Sequence, residues 1–256
     1  MSWSRCSKAL VVSLLLLTAA VVPAAAVSTS KDGVPDETAE GSEVTATYRF
    51  TELYSDFESW TLTGRTELSD VTWTVRKLDQ AGNQLNQTSY DGASFNESVD
   101  ISEDTAEIVV RVRGTAPEVE NFTYEPAEQF TFARFQLRRS GGSNQGITAD
   151  QVHHFTEDSK EARDEIQSAQ SAIDAAGGNQ QAEQTLSNAI SAYNAGNFGN
   201  AVDLANQAEQ RANQAQSNQN TTQLLLYGGI GLVVLLLVVG GVAYYRSQQD
   251  TYDKLR

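Results

Sequence analysis

"VTWTVRKLD", residues 71–79, alternates strictly: Val71, Trp73 and Val75 fall on one side, Thr72, Thr74 and Arg76 on the other. A period of two with one apolar side is the pattern of a β-strand that buries one face. The pattern recurs on both sides of it. "VTATYRF" (44–50) sets Val44, Ala46, Tyr48 and Phe50 together, "FESWTLTGRTEL" (57–68) carries Trp60 and Leu62, and "AEIVVRVRG" (106–114) aligns Ile108, Val110 and Val112. "SFNESVDIS" (94–102) is a weaker strand, "EQFTFARFQLRR" (128–139) the last one, and "QAGNQ" (80–84) a turn at Gly82-Asn83. About six or seven short strands with polar turns over 43–139 close most naturally as an antiparallel β-sandwich. The preceding "VSTSKDGVPDETAEGS" (27–42) is polar, contains Gly and Pro, and reads as a flexible lead-in.

Past the strands the period changes. "SGGSNQG" (140–146) opens a linker expected to run through 155, and from there apolar residues recur every three to four positions. Thr156 is placed to cap a helix through Ala176, with Ala162, Ile166, Ala169 and Ile173 on one stripe and Gly177-Gly178 at its end. A second helix is expected over 180–195 (Ala182, Leu186, Ala189, Tyr193), a turn at Gly196-Asn197, and a third helix over 198–217 (Ala201, Ala205, Ala208, Ala212, Ala215). Short connections favour antiparallel neighbours, hence a three-helix bundle. Phe198 is expected to be its largest apolar contact. The fold class is therefore α+β: a β-sandwich, then a helical bundle.

Two apolar segments fix the expected location. The first residues carry Arg5 and Lys8, then an apolar run from Ala9 to Val22, Pro23 and Ala24-Ala25-Ala26, the layout of a signal peptide cleaved after Ala26. Residues 224–245, "LLLYGGIGLVVLLLVVGGVAYY", lack charge and as a helix extend about 33 Å, enough to cross a bilayer. A phosphate-binding GxGxxG fails there, since Gly229 and Gly231 are followed by Val234. Tyr227 and Tyr244-Tyr245 stand at the ends, and Arg246, Lys254 and Arg256 follow. Basic residues on that side place the tail, 246–256, in the cytoplasm and the middle outside, with 218–223 as a juxtamembrane linker. The tail is too short for a catalytic domain.

Three resemblances follow from these residues. The buried Trp73 within a strand array resembles immunoglobulin-like architecture, without the cysteine pair of antibody domains. "AISAYNAGNFGNAVDLANQA" (189–208) resembles the core of one tetratricopeptide unit in Ala189, Ala192, Gly196, Phe198, Ala201, Ala205 and Ala208, but lacks its leading Trp, Leu-Gly step and closing Pro. Acidity with few lysines resembles proteins of halophilic archaea: the net charge is −15, and Lys+Arg 18 face Asp+Glu 33. At molar salt a dense carboxylate surface is screened within about 3 Å. The whole order resembles single-pass surface proteins of such organisms, a class for which it implies no assigned activity.

Chemistry is sparse. Cys6 is the one cysteine and lies in the leader, so a processed chain has neither disulfides nor thiolate metal sites. HExxH, GxSxG and P-loop patterns are missing. His153 and His154 lack a third ligand nearby and read as a polar junction. Asp100, Glu103 and Asp104 do not have EF-hand spacing and read as turn carboxylates, with a cation such as calcium as the sharper alternative. Arg111, Arg113, Arg134, Arg138 and Arg139 lie on late strands, where they form either an anion patch for a glycan or an outward face paired with carboxylates. Sequons occur at Asn86, Asn96, Asn121 and Asn220, the first three expected in turns or near strand ends. The acidic middle disfavours nucleic acid. No cofactor or metal is expected. The reading is a non-catalytic, membrane-anchored surface protein with a protein or envelope-glycan partner. The alternatives are an accessory subunit docked through its helices and a surface hydrolase with a dispersed site.

Overall fold

The computed structural model describes residues 27–139, 142 and 144–217. The expected leader (1–26), juxtamembrane linker (218–223), span (224–245) and tail (246–256), with Asn220, lie outside the described residues. Among the described residues no helix is long and apolar enough to cross a membrane. The fold is α+β and divides into two compact units, residues 27–118 with 129–154, and residues 119–128 with 155 onward.

The first unit consists of two five-stranded sheets. Its strands are β1 (Ser28–Asp32), β2 (Glu37–Ala39), β3 (Glu43–Thr51), β4 (Ser59–Arg65), β5 (Ser69–Leu78), β6 (Gln84–Asp91), β7 (Ser94–Asp100), β8 (Glu107–Thr115), β9 (Gln129–Arg138) and β10 (Asn144–Phe155). Sheet A has the order β1-β3-β8-β5-β6 and sheet B the order β2-β10-β9-β4-β7. The ladders of sheet A and the β10–β9, β9–β4 and β4–β7 ladders of sheet B are antiparallel.

Both sheets turn their apolar sides into one core. Trp73 and Tyr48 of sheet A and Phe135 of sheet B are fully buried. Phe135 is the hub: its ring centroid lies 4.6 Å from Tyr48, 5.0 Å from Phe50 and 5.9 Å from Trp73. Gly64 of β4 is there for space, since a Cβ would meet the Phe95 ring at 2.2 Å. The indole N–H groups that this burial would strand donate to backbone carbonyls, Trp73 to Gly92 and Trp60 to Leu53, each at 2.9 Å.

Several expected boundaries are corrected. The flexible lead-in holds β1 and β2, and most of the expected linker 140–155 is β10, paired along β9 with two bulges. β6 lies in what was read as the neighbourhood of a turn. β1, β2 and β6 are polar and lie at sheet edges, where backbone pairing does not require an apolar stripe, and the bulges of β10 break its alternation.

The second unit has helices α1 (Glu157–Ala175), α2 (Gln180–Asn194) and α3 (198–217, where the described residues end). Thr156 caps α1 in a reciprocal capping box with Ser159. Gly177 and Gly178 leave α1 at φ +75 and +88, conformations that favour glycine. The expected stripes are buried (Ala162, Ile166, Ala169 and Ile173; Ala182, Leu186, Ala189 and Tyr193; Ala201, Ala205, Ala208 and Ala212), except that Ala215 at the end of the third is half-buried. Tyr193, not Phe198, is the large fully buried side chain. Phe198 is half-buried and packs edge-on against Tyr193 and against Phe122, which belongs to the connection between β8 and β9. From the same connection Tyr124 lies over Arg163, whose guanidinium stands 4.9 Å from that ring and 5.0 Å from Tyr193 and donates to the carbonyls of Thr123 and Tyr124.

Candidate functional site: the outer face of sheet B

Sheet alternation sends one set of charges inward and another outward. On sheet A, Lys77 follows Val71, Trp73 and Val75 in parity and is buried. On sheet B, Glu97 sits between the buried Phe95 and Val99 and is buried too. They meet at 2.9 Å, with Glu103 at 2.6 Å from the same ammonium and the Ser98 carbonyl accepting at 2.6 Å. Tyr90 donates to Glu97 at 2.6 Å. Burial alone would lower the Lys77 pKa, but hydrogen bonds from the ammonium to Glu103 and Glu97 outweigh it and hold Lys77 above its usual value. Burial, then the bond to Glu97, pushes Tyr90 up to about 12. At the opposite flank Lys31 of β1 pairs with buried Asp150 of β10, which also accepts from the Tyr48 hydroxyl at 2.9 Å. Burial and then the hydrogen bond to Asp150 raise Tyr48 strongly. Each flank thus carries a lysine and a tyrosine of sheet A closed on a carboxylate of sheet B.

The outward residues of sheet B form the candidate site. Three rungs cross it. Ser94 pairs with Arg65 and Arg65 with Arg134; Asn96 with Thr63 and Thr63 with Gln136; Ser98 with Thr61 and Thr61 with Arg138. Next to them on β10 stand Asn144, Gly146 and Ala149. Arg65, Arg134 and Arg138 are exposed, and among the described residues none of them meets a carboxylate. Glu67, exposed two residues beyond Arg65, accepts from the Thr131 backbone N–H, and Asp100, at the far end of β7, is engaged with Ser102 and held below the usual carboxylate range by the side-chain and backbone bonds from that residue. Arg65 and Arg134 occupy directly opposed positions, an arrangement of like charges that costs stability. The rest of the face is hydroxyl and amide. Among the described residues the exposed large apolar side chains, Leu85 and Ile101, belong to β6 and to the turn after β7.

The outer face of sheet A differs. Arg113 pairs with Glu43 and Arg49 with Glu107, both at 2.5 Å. Arg111 sits between Thr47 and Thr74 in register, and with Arg76 it lines a hollow of about 500 Å³ that also contains Asp32. The five arginines read as one patch therefore divide: Arg111 and Arg113 are on sheet A, Arg134 and Arg138 on sheet B, and Arg139 lies 4.2 Å over the Phe57 ring. Arg65, which completes the sheet B group, was missed; its parity with Thr61 and Thr63 on "SWTLTGR" was the available signal.

The other candidates disperse. Asp100 caps a turn, Glu103 joins Lys77, and Asp104 adopts φ +53 beside an open cleft of about 870 Å³. Among the described residues no group of three His, Cys, Asp or Glu is arranged to hold a metal ion. His154 is buried, with Nδ1 3.1 Å from the Pro117 carbonyl and its ring against Phe130. His153 and His154 lie near the end of β10, directly before the point where the chain passes from the first unit to the second. Asn86 and Asn96 are each the third residue of an edge strand, β6 and β7, and Asn121 lies in the connection between β8 and β9.

No protein-family model and no curated protein matches the chain. Among solved structures it is similar to the sporulation control protein Spo0M from Bacillus subtilis, at 10% identity and TM-score 0.30, over 56% of this chain and 55% of that one. It is also similar to BslA, a bacterial hydrophobin, at 13% identity and TM-score 0.26, over 51% and 100% of the two chains. A protein from Nocardia farcinica with an immunoglobulin-like fold is similar at 15% identity and TM-score 0.26, over 51% and 98%. Likenesses this low transfer no property to this chain.

Proposed function

We propose that the chain is a non-catalytic surface protein of a halophile's plasma membrane, held by a single span at 224–245 with a short cytoplasmic tail. Its β-unit, a sandwich of immunoglobulin-like architecture, binds an anionic envelope glycan through the outer face of sheet B. The observation that carries this reading is the group Arg65, Arg134 and Arg138, exposed and, among the described residues, in no ion pair with a carboxylate, in a chain of net charge −15. Folding does not require that group, and its opposed arginines work against stability. A glycan suits the face better than a protein does. Protein interfaces concentrate energy in buried aromatic and aliphatic anchors, whereas these rungs offer guanidinium, hydroxyl and amide groups. Guanidinium forks pair with carboxylate or sulfate, and the flanking Thr, Ser, Asn and Gln suit sugar hydroxyls.

The test uses the full chain in mild detergent, made in a host without N-glycosylation, and measures retention on immobilised alginate, dextran and polyglutamate. Retention on alginate that falls with added salt, with little on neutral dextran, supports the reading. Equal retention on alginate and dextran, or none on either, overturns it.

A further inference from the structure

Asn96 stands on the middle rung of the arginine face, between the rung of Arg65 and Arg134 and the rung of Arg138. It opens the sequon Asn96-Glu97-Ser98. Parity separates the roles of that sequon. Glu97 points inward to Lys77, while Asn96 and Ser98 are exposed on the outer face. The carbonyl oxygen of Asn96 accepts from the Thr63 hydroxyl at 3.0 Å. Its amide nitrogen, the atom that N-glycosylation modifies, has no hydrogen-bond partner among the described residues. β7 is the edge strand of sheet B, so one side of this site is open. From strand spacing and rise, Arg65 lies about 8 Å from Asn96, and Arg134 and Arg138 each about 12 Å, measured between Cα positions.

We infer that Asn96 is N-glycosylated, that its glycan carries carboxylate or sulfate groups, and that it lies across β4 and β9 on Arg65, Arg134 and Arg138. The anionic glycan of the reading above is then one attached in cis, which competes with outside polymer for the face. This rests on the anion-binding reading above. A tethered glycan needs only weak contacts, because attachment keeps its acid groups at high effective concentration over the arginines. The opposed Arg65 and Arg134 are then relieved by the anion between them. The other described sequons lack this surrounding: Asn86 is on β6 of sheet A and Asn121 is in the helical unit.

The experiment compares the full chain isolated from its own cells with the chain made in a host without N-glycosylation. Peptide mapping by mass spectrometry is expected to find a sugar with an acidic group on Asn96. Alginate retention of the native chain is expected to be at least tenfold weaker than that of the unmodified chain. The chain made in its own cells with the N-glycosylating transferase deleted regains that retention, with every residue of the face in place. An unmodified Asn96, a neutral glycan there, or native and unmodified chains that bind alginate equally would each overturn the inference while leaving the anion-binding face intact. Failure of the unmodified chain to bind alginate removes that reading and the inference together.

Discussion

The two sheets of the β-unit share a core but dispose of their charges in opposite senses. Sheet A turns its lysines, Lys31 and Lys77, toward sheet B and keeps carboxylates outside, where Glu43 and Glu107 pair with Arg113 and Arg49. Sheet B turns carboxylates inward, Asp150 and Glu97, to meet those lysines, and leaves Arg65, Arg134 and Arg138 outside in no ion pair among the described residues. The difference separates two uses of charge. A buried cation is stable only with its counter-ion, so the inward set is demanded by the fold. An exposed arginine has no such requirement, so its lack of partners needs a reason outside folding.

The largest effect expected from breaking this arrangement is on stability. Glu97→Ala leaves the partly exposed Glu103 as the one carboxylate on buried Lys77, and loss of one partner of a buried pair typically costs about 3–5 kcal/mol. Asp150→Ala at the other flank is expected to cost less. Lys31 is half-exposed and can turn to water, so the main cost is the stranded Tyr48 hydroxyl, about 1–3 kcal/mol. Thermal unfolding of the full chain in detergent ranks the two; equal losses would show that the flanks are not graded by burial.

The next effect is on binding. Replacing Arg65, Arg134 and Arg138 together by Gln is expected to weaken alginate retention by tenfold to roughly 100-fold, since each exposed ionic contact contributes up to about 1 kcal/mol and 1.4 kcal/mol is a factor of ten. The melting temperature should hold or rise, because the opposed arginines are removed. The sheet A counterpart, Arg49→Gln with Arg113→Gln, is expected to leave retention unchanged. If both variants lose binding equally, the attraction belongs to overall charge and the distinction between faces fails.

A smaller effect sharpens the inward half of the comparison. Tyr90 has a folded pKa of about 12, against about 10 in an unfolded chain. Between those values the unfolded chain releases the proton and the folded chain keeps it. The stability contributed by Tyr90 is therefore full below pH 10 and is lost as pH rises toward 12. Tyr48 and Lys77, also raised, act in the same direction. Stability measured from pH 8 to 11 should fall at the alkaline end, and Tyr90→Phe should flatten part of that fall. An identical profile in the variant would mean that its bond to Glu97 is not maintained in solution.

How much of this could be read from the sequence follows from parity. The central strands and the three helical stripes were legible because burial imposes a period on apolar residues. The edge strands β1, β2 and β6 were not, because pairing at an edge is made by the backbone and "STSKD" or "QLNQTSYD" shows no apolar side. β10 was hidden by the bulges at Gly146/Thr148 and Asp150/Gln151, which shift its alternation. Lys77 and Glu97 were legible in principle, each continuing an apolar run at the inward parity. The arginine face needed sheet order. Strand assignment puts Arg111 and Arg134 on late strands; only the pairing of β9 with β4 and of β8 with β3 and β5 places them on different sheets and brings in Arg65. Asn96 joined the site for the same reason, through its rung with Thr63 and Gln136.

The smallest expected effect concerns the outer pairs of sheet A, and it decides whether they are structural partners or merely neighbours. Arg113 and Glu43 are both well exposed, and so is Arg49 opposite its half-buried partner Glu107. Exposed pairs of this kind contribute about 0.2–1 kcal/mol, because water already solvates both charges and ordering two long side chains costs entropy. Arg49 should matter more than Arg113. It is paired in register with Val109, which is fully buried although it lies on the outer side of β8, and Arg76 occupies the position opposite on β5. The aliphatic stems of these two arginines are in place to cover that valine, so truncating one exposes apolar surface as well as removing a charge. Arg113→Ala is expected to change stability by less than about 0.5 kcal/mol and to lose even that at molar salt, where screening acts over about 3 Å. Arg49→Ala is expected to cost more and to keep its cost at molar salt, because the exposed valine is indifferent to ionic strength. Denaturant unfolding of the two variants in dilute and molar salt provides the four values. Costs that vanish together at high salt would mean that Arg49 acts through charge alone and that Val109 is covered by something other than its stem.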